Sequence, residues 1–256
     1  MIQLLSDNKR ILILGDVHQS IHKVKYILAH ESYDEVVFTG DFFDSFIYNT
    51  DSDVTETCHC LLDHLEDKKF YSVMGNHDLG YLYNNQHLSC SGYSIDKQSL
   101  IDGLFKKDKL AIRNKFQWYI WIDDFLCTHA GLHPSHISPS LDLDPEGFSH
   151  WMDNECKAAD VALSSNQLHW FYQCGMARGG KFNKGGIVWL DFAQEFKPID
   201  GLKQIVGHTG RRHIVHHNKD GNMQVPESSN IDVDCGLYEY LIIQNKKIEV
   251  KKYSDL

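Results

Sequence analysis

The sequence predicts an α/β fold of βαβ units followed by a second set of short strands, and three observations carry that reading. Short apolar or β-branched runs recur along the chain, each closed by a Gly or a Thr. Helical stretches with one apolar face separate the early runs. Beyond residue 200 the pattern changes to short strands with turn residues between them.

Taken in order, residues 11–14 (ILIL) form the first buried strand, and Ser20 caps a helix through Ala29. Residues 35–38 (EVVF) form the next, after which Asp53 opens a helix through Glu66. Residues 70–74, 124–127 and 204–206 continue the set of strands, with 186–190 (GIVWL) a further one. Residues 84–117 and 133–175 are long, mostly helical insertions. Phe148, Trp151, Trp170, Phe171 and Tyr172 give the second aromatic bulk, and both are natural caps over a site. After residue 200, the segments 212–215, 230–233, 238–243 and 248–251 read as an antiparallel second sheet, with a turn at 219–222.

At 256 residues and 42% hydrophobic content, with five prolines, no repeat and no linker, residues 1–256 read as one domain. The formal charge of −10 argues against nucleic acid or anionic membrane as main partner. No stretch approaches the roughly 20 apolar residues that span a bilayer. Seven cysteines without a framework spacing fit a reducing compartment. A cytoplasmic, soluble protein is the expectation; the oligomeric state stays open.

Five short blocks follow the strands: Gly15-Asp16-Val17-His18, Gly40-Asp41-Phe42-Phe43-Asp44, Gly75-Asn76-His77-Asp78, Thr128-His129-Ala130-Gly131 and Gly207-His208-Thr209. In layered α/β folds, ligands gather beyond the carboxyl ends of strands, where loops begin on a rigid scaffold. Asp, His and Asn are ligands for hard or borderline divalent metals. Carboxylates, imidazoles and one amide oxygen without thiolate suit Mn, Fe or Zn better than a Cys-rich structural site. Together the blocks read as a two-metal phosphoesterase site. Cys58-His59-Cys60 lacks a second Cys pair and reads as part of a helix.

This set of blocks resembles the calcineurin-like metallophosphoesterase superfamily, in particular its phosphoprotein phosphatase-like branch. The resemblance implies a two-sheet α/β-β/α sandwich flanked by helices. It implies that Asp16 and His18 bind a first metal, that Asp41 bridges to a second, and that Asn76, His129 and His208 complete the second. The two ions are most simply Mn, with Fe or Zn as alternatives, and a bridging hydroxide is the nucleophile. His77 matches the family's general acid and Asp44 the carboxylate that orients it. Asp78 replaces the usual Glu, and its role stays open.

Phosphate also needs fixed positive charge, and a guanidinium binds it bidentately. Arg178, before the run 186–190, is the first candidate, with Asn76 as a further phosphate contact and Arg211 and Arg212 as alternatives. Ser45 stands where the branch has a phosphate-binding Arg, and Gln19 where it has a Gly. Tyr81 and Tyr83 could line the substrate mouth or simply pack. Hydrolysis of phosphate monoesters, on a phosphoprotein or small phosphoester, is the expected function. The alternatives are a phosphodiesterase or dinucleoside tetraphosphate hydrolase, and a non-catalytic scaffold. The single histidine of Gly207-His208-Thr209-Gly210 favours the phosphatase, because many diesterases carry a second one there.

Overall fold

The computed structural model describes residues 2–138, 141, 145–217 and 230–256. In chain order these form β1 (Gln3–Leu4), β2 (Arg10–Leu14), α1 (Ile21–His30), β3 (Glu35–Phe38), α2 (Asp51–Asp63), β4 (Phe70–Val73), α3 (Asn76–Leu82), α4 (Ile95–Phe105) and α5 (Lys109–Lys115). There follow β5 (Phe116–Gln117), β6 (Ile120–Ile122), β7 (Phe125–Cys127), α6 (Pro145–Ser164), β8 (Lys203–Val206), β9 (Val215–His217), β10 (Asn230–Asp232), β11 (Glu239–Gln244) and β12 (Lys247–Lys252). The strands sort into two six-stranded sheets, ordered β12-β11-β2-β3-β4-β5 and β1-β6-β7-β8-β10-β9.

Period-two alternation decides what each strand packs against. Ile11 and Ile13 of β2, Val37 of β3 and Val73 of β4 meet Ile120, Ile122, Cys127, Ile205 and Ile231 of the other sheet. Leu12, Leu14, Val36 and Phe38 turn the opposite way, into a cluster with Val24 and Ile27 of α1 and Val54 and Leu61 of α2. Each such side chain, fully buried, contributes about 1.5–3 kcal/mol. The result is two sheets face to face with helices outside. β2, β3, β4 and β5 run parallel, with α1 and α2 as the first two crossovers.

The tail departs from the expected separate antiparallel sheet. β11 pairs antiparallel with β2, and β12 with β11, so both extend the first sheet. Only β9 and β10 join the second sheet, where β10 runs parallel to β8. Both sheets are therefore mixed. The reason is legible in β11: Tyr240 and Ile242 pack in the helix-side cluster while Leu241 and Ile243 pack between the sheets. A strand apolar on both faces needs two covers, and β12 takes the exposed edge.

Other expectations also need correction. Residues 186–190 form a turn, not a strand: the Gly186 carbonyl accepts from the amides of Trp189 and Leu190, each at 2.9 Å. Ile187, Val188 and Leu190 are buried all the same, which is why the run reads as a strand. Ser20 occupies the N-cap of α1 without a side-chain cap bond. α2 is capped by Thr50, whose hydroxyl accepts from the Asp53 amide while the Asp53 carboxylate takes the Thr50 amide. Residues 219–222 lie outside the described residues. α6 packs on the second sheet, with Trp121 against Phe148 and the Tyr119 hydroxyl on Asp153. Among the described residues no helix is long and apolar enough to cross a membrane.

Candidate metal centre

The five blocks converge at the carboxyl ends of β2, β3, β4, β7 and β8, where their loops are laced together. The amides of His18 and Gln19 donate to the carbonyls of Asp41 and Phe42 at 2.7 and 2.9 Å. The His77 amide donates to Asp41 Oδ1 at 2.9 Å, and the His208 amide to Asp16 Oδ2 at 2.9 Å. Asp78 is the knot of this lacing, because its carboxylate accepts from the amides of Asp41, Phe42 and Gly75. His18, Asp41, Asp44 and His208 all hold left-handed φ, at 42°, 51°, 61° and 70°. Such backbone costs energy for non-glycine residues, and it clusters at functional sites.

Two ligand groups result, Asp16–His18–Asp41 and Asp41–His129–His208, each with its donor atoms within 4.8 Å of one another. Asp41 belongs to both. Asn76 joins the second group, with Oδ1 2.8 Å from His129 Nε2. Its Nδ2 is turned to Cys90 Sγ, at 3.2 Å.

Whether a cation fits here can be judged from the imidazoles. His129 Nδ1 lies 2.7 Å from the Thr39 carbonyl, which can only accept, so the ring carries a proton at Nδ1. Its Nε2 then faces Asn76 Oδ1, Asp41 Oδ2 at 3.4 Å and His208 Nδ1 at 3.2 Å, a gathering of oxygen and nitrogen lone pairs that positive charge would hold together. His18 repeats the pattern, with Nδ1 on the carbonyls of Phe43 and Asp44 and Nε2 toward Asp16 and Asp41. His208 Nε2 is buried and has no hydrogen-bond partner among the described residues.

The titration behaviour expresses the same crowding. Burial works against charge on His129, yet the Asp41 and Asp16 carboxylates push it up to about 10, so that a proton stands where a metal could. Burial would raise Asp41, but His129, His77 and His18 hold it below the usual carboxylate range. Burial and the neighbouring Asp234 drive Asp16 well above that range. Burial, His129 and Arg178 push His208 well below its ordinary value. The residues present fit divalent ions.

Beside this group lies a dyad, with His77 Nδ1 3.1 Å from Asp44 Oδ2. Tyr81 does not line a mouth: it is fully buried, and its hydroxyl donates to Asp44 Oδ1 at 2.7 Å. Tyr83 packs under Arg113 and reaches Asp160. Arg178 comes to the edge of the second ligand group, with Nη2 3.1 Å from both the His208 carbonyl and Thr209 Oγ1 and Nε 2.9 Å from Asp191 Oδ2. Arg211 and Arg212 are exposed. Cys58 and Cys60 are buried in the apolar core.

Sequence reasoning missed Asp234 and Lys97. Asp234 is buried, stands two residues past the end of β10, and bears electrostatically on Asp16 and His18. Its signal was available, since Asp234-Cys235-Gly236 repeats the pattern of an acid and a glycine just past a buried strand. Lys97, whose Nζ lies 2.9 Å from Asp44 Oδ1, had none, because it sits in an insertion whose path no local pattern dictates.

The sequence matches the family described as calcineurin-like phosphoesterase over residues 9–232. Similar solved structures include a cold-active protein-tyrosine phosphatase of a Shewanella species, at 17% identity and a TM-score of 0.61, with 100% of this chain and 81% of that one covered. A protein serine/threonine phosphatase from Saccharomyces cerevisiae is 15% identical with a TM-score of 0.54, covering 98% of this chain and 83% of that one. A metallophosphoesterase from Sphaerobacter thermophilus gives 15%, 0.51, 95% and 87% for the same quantities. At these identities the likeness is one of fold. No curated protein matches the sequence.

Proposed function

The chain belongs to the calcineurin-like phosphoesterase family, and on that premise we propose that it hydrolyses phosphate monoesters, on phosphoproteins or small molecules, with two divalent ions. The observation that carries this reading is the meeting of two ligand groups at one shared carboxylate, Asp41. In the proposal Asp16, His18 and Asp41 hold one ion, and Asp41, Asn76, His129 and His208 the other. Mn is the first choice for such oxygen and nitrogen donors, with Fe or Zn as alternatives. Bound there, the ions supply Lewis acidity and an acidified water for in-line displacement at phosphorus.

The chain's own residues orient the substrate and move the proton. His77 keeps Nδ1 on Asp44, at 3.1 Å, which leaves Nε2 to donate to the departing oxygen. Arg178, tethered to Asp191 and Thr209, contacts the phosphate together with the amide of Asn76. Residues 1–256 act as one domain in this reading. Both the 84–117 and the 133–175 segments serve as caps in this reading; the first touches the site through Cys90 and Lys97, and α6 of the second packs on the second sheet. Two fold relatives are named as protein phosphatases, which supports phosphoprotein substrates. The free thiols support a reducing, cytoplasmic setting.

A panel of phosphopeptides, p-nitrophenyl phosphate, bis-p-nitrophenyl phosphate and diadenosine tetraphosphate, assayed with Mn, tests the proposal. The monoesters are expected to give the higher kcat/KM. Preferred cleavage of the diester or the tetraphosphate would replace this reading with a diesterase or a pyrophosphohydrolase.

A further inference from the structure

Three donors converge on the carboxylate of Asp44. His77 Nδ1 lies 3.1 Å from Oδ2, while the Tyr81 hydroxyl and Lys97 Nζ share Oδ1 at 2.7 and 2.9 Å. The Asp44 side chain is 1% exposed and that of Lys97 11%. An ammonium buried this far is unfavourable unless paired, and here its acidic partner is the carboxylate that faces His77.

Lys97 arrives from outside the five blocks, as the third residue of α4. Ser94 caps that helix by accepting from the Lys97 amide at 3.1 Å, which fixes the turn carrying the lysine. The approach is close because Gly92, with φ +100°, lets the insertion lie against the acid: a methyl there would stand 3.0 Å from Asp44 Cβ. Cys90 adds a second attachment, with its thiol 3.1 Å from the Asn76 carbonyl. Two donors on Oδ1 pin the plane of the carboxylate. Oδ2 then has one direction left, toward the imidazole.

We propose that Lys97 is a positioning residue for the reaction: through Asp44 it fixes the ring of His77 so that Nε2 faces the departing oxygen. This rests on the reading of His77 as the leaving-group acid. The insertion thereby contributes to the proton transfer as well as covering the site. A lysine that only staples the insertion in place would affect stability and all substrates alike.

The test uses the full chain loaded with Mn, with kcat and KM measured on phosphoserine and on p-nitrophenyl phosphate, whose good leaving group needs little protonation. Lys97→Met is expected to lower kcat on phosphoserine about 10-fold, with a smaller loss on p-nitrophenyl phosphate and with KM and metal content near those of the parent. Lys97→Arg should recover most of the loss. In an Asp44→Asn background, Lys97→Met should add little further, because both changes act through one carboxylate. Tyr81→Phe removes the other Oδ1 donor without touching charge. It should show the same dependence on leaving group more weakly, and serves if Lys97→Met does not fold. Equal losses on both substrates, or losses that multiply in the double variant, would overturn the role of Lys97. A parent that turned over neither substrate would instead overturn the monoesterase reading itself.

Discussion

Gly75→Ala is a small change with a large expected effect, because of what the added methyl would meet. It would lie 2.1 Å from Asp41 Oδ1 and 2.4 Å from the Asp41 amide nitrogen, more than 1 Å inside the roughly 3.5 Å of ordinary contact. Neither atom can yield cheaply: Oδ1 accepts the His77 amide at 2.9 Å, and the Asp41 amide is bound to Asp78 at 2.8 Å. Overpacking of this kind costs about 1–3 kcal/mol, or roughly 2–4 °C in Tm per kcal/mol for a chain of this size. The larger effect falls on Asp41, which belongs to both ligand groups. Metal sites tolerate displacements of about 0.5 Å, so at least one of the two ions should be lost at a Mn concentration that saturates the parent. Metal content by mass spectrometry and Tm by calorimetry read the two effects separately. Gly103→Ala is the control, since none of the described residues lies within 4 Å of a methyl there and a helix-interior alanine should add about 0.5–1 kcal/mol. A Gly75→Ala protein that bound two ions with the parent's affinity would show that the placement of Asp41 does not depend on the missing Cβ at Gly75.

Other expectations follow from single residues. Arg178→Ala should lower kcat/KM about 10- to 150-fold with metal content unchanged, the worth of about 1.5–3 kcal/mol for a charge-assisted phosphate contact, and Lys should rescue it in part. His208→Ala should leave one ion bound, whereas Asp41→Asn should weaken both, as equilibrium dialysis with Mn would report. His136, stacked on Trp170 with its Nε2 buried and without a partner among the described residues, is pushed by burial and then by His133 down to about 4, from an ordinary 6.5. The unfolded chain therefore binds more protons between those values, and stability is lost as pH falls from about 6.5 to about 4. His136→Phe should flatten the decline in Tm between pH 7 and pH 5; an unchanged slope would remove His136 as a cause.

The parts of this molecule that the sequence makes legible are those governed by local pattern. The runs at 11–14 and 35–38 alternate toward two covers, and each ends where a ligand block begins, so both strand and site follow from a few residues. The misreadings have one physical origin, which is that partner choice is a tertiary matter. Residues 186–190 and β11 look alike in sequence, yet the first is buried as a turn and the second as a strand inserted beside β2. Nothing local tells β11 which sheet to join; the demand for apolar cover on both faces does. The same holds at the site. The sequence leaves the role of Asp78 open, and in the fold its carboxylate accepts from three amides. Tyr81, which the sequence leaves between rim and packing, is turned by α3 onto Asp44. Lys97 belongs to the dyad only because α4 is laid across it.

If phosphoester hydrolysis by this chain depends on two ions meeting at Asp41, activity must follow metal occupancy in a stepwise titration. Protein stripped by chelation and verified metal-free is titrated with Mn while bound metal and turnover of p-nitrophenyl phosphate are followed together. No turnover is expected without metal, little with the first equivalent, and full activity as binding approaches two ions per chain, with Asp41→Asn failing to reach that state. Full turnover by the verified metal-free protein would contradict it.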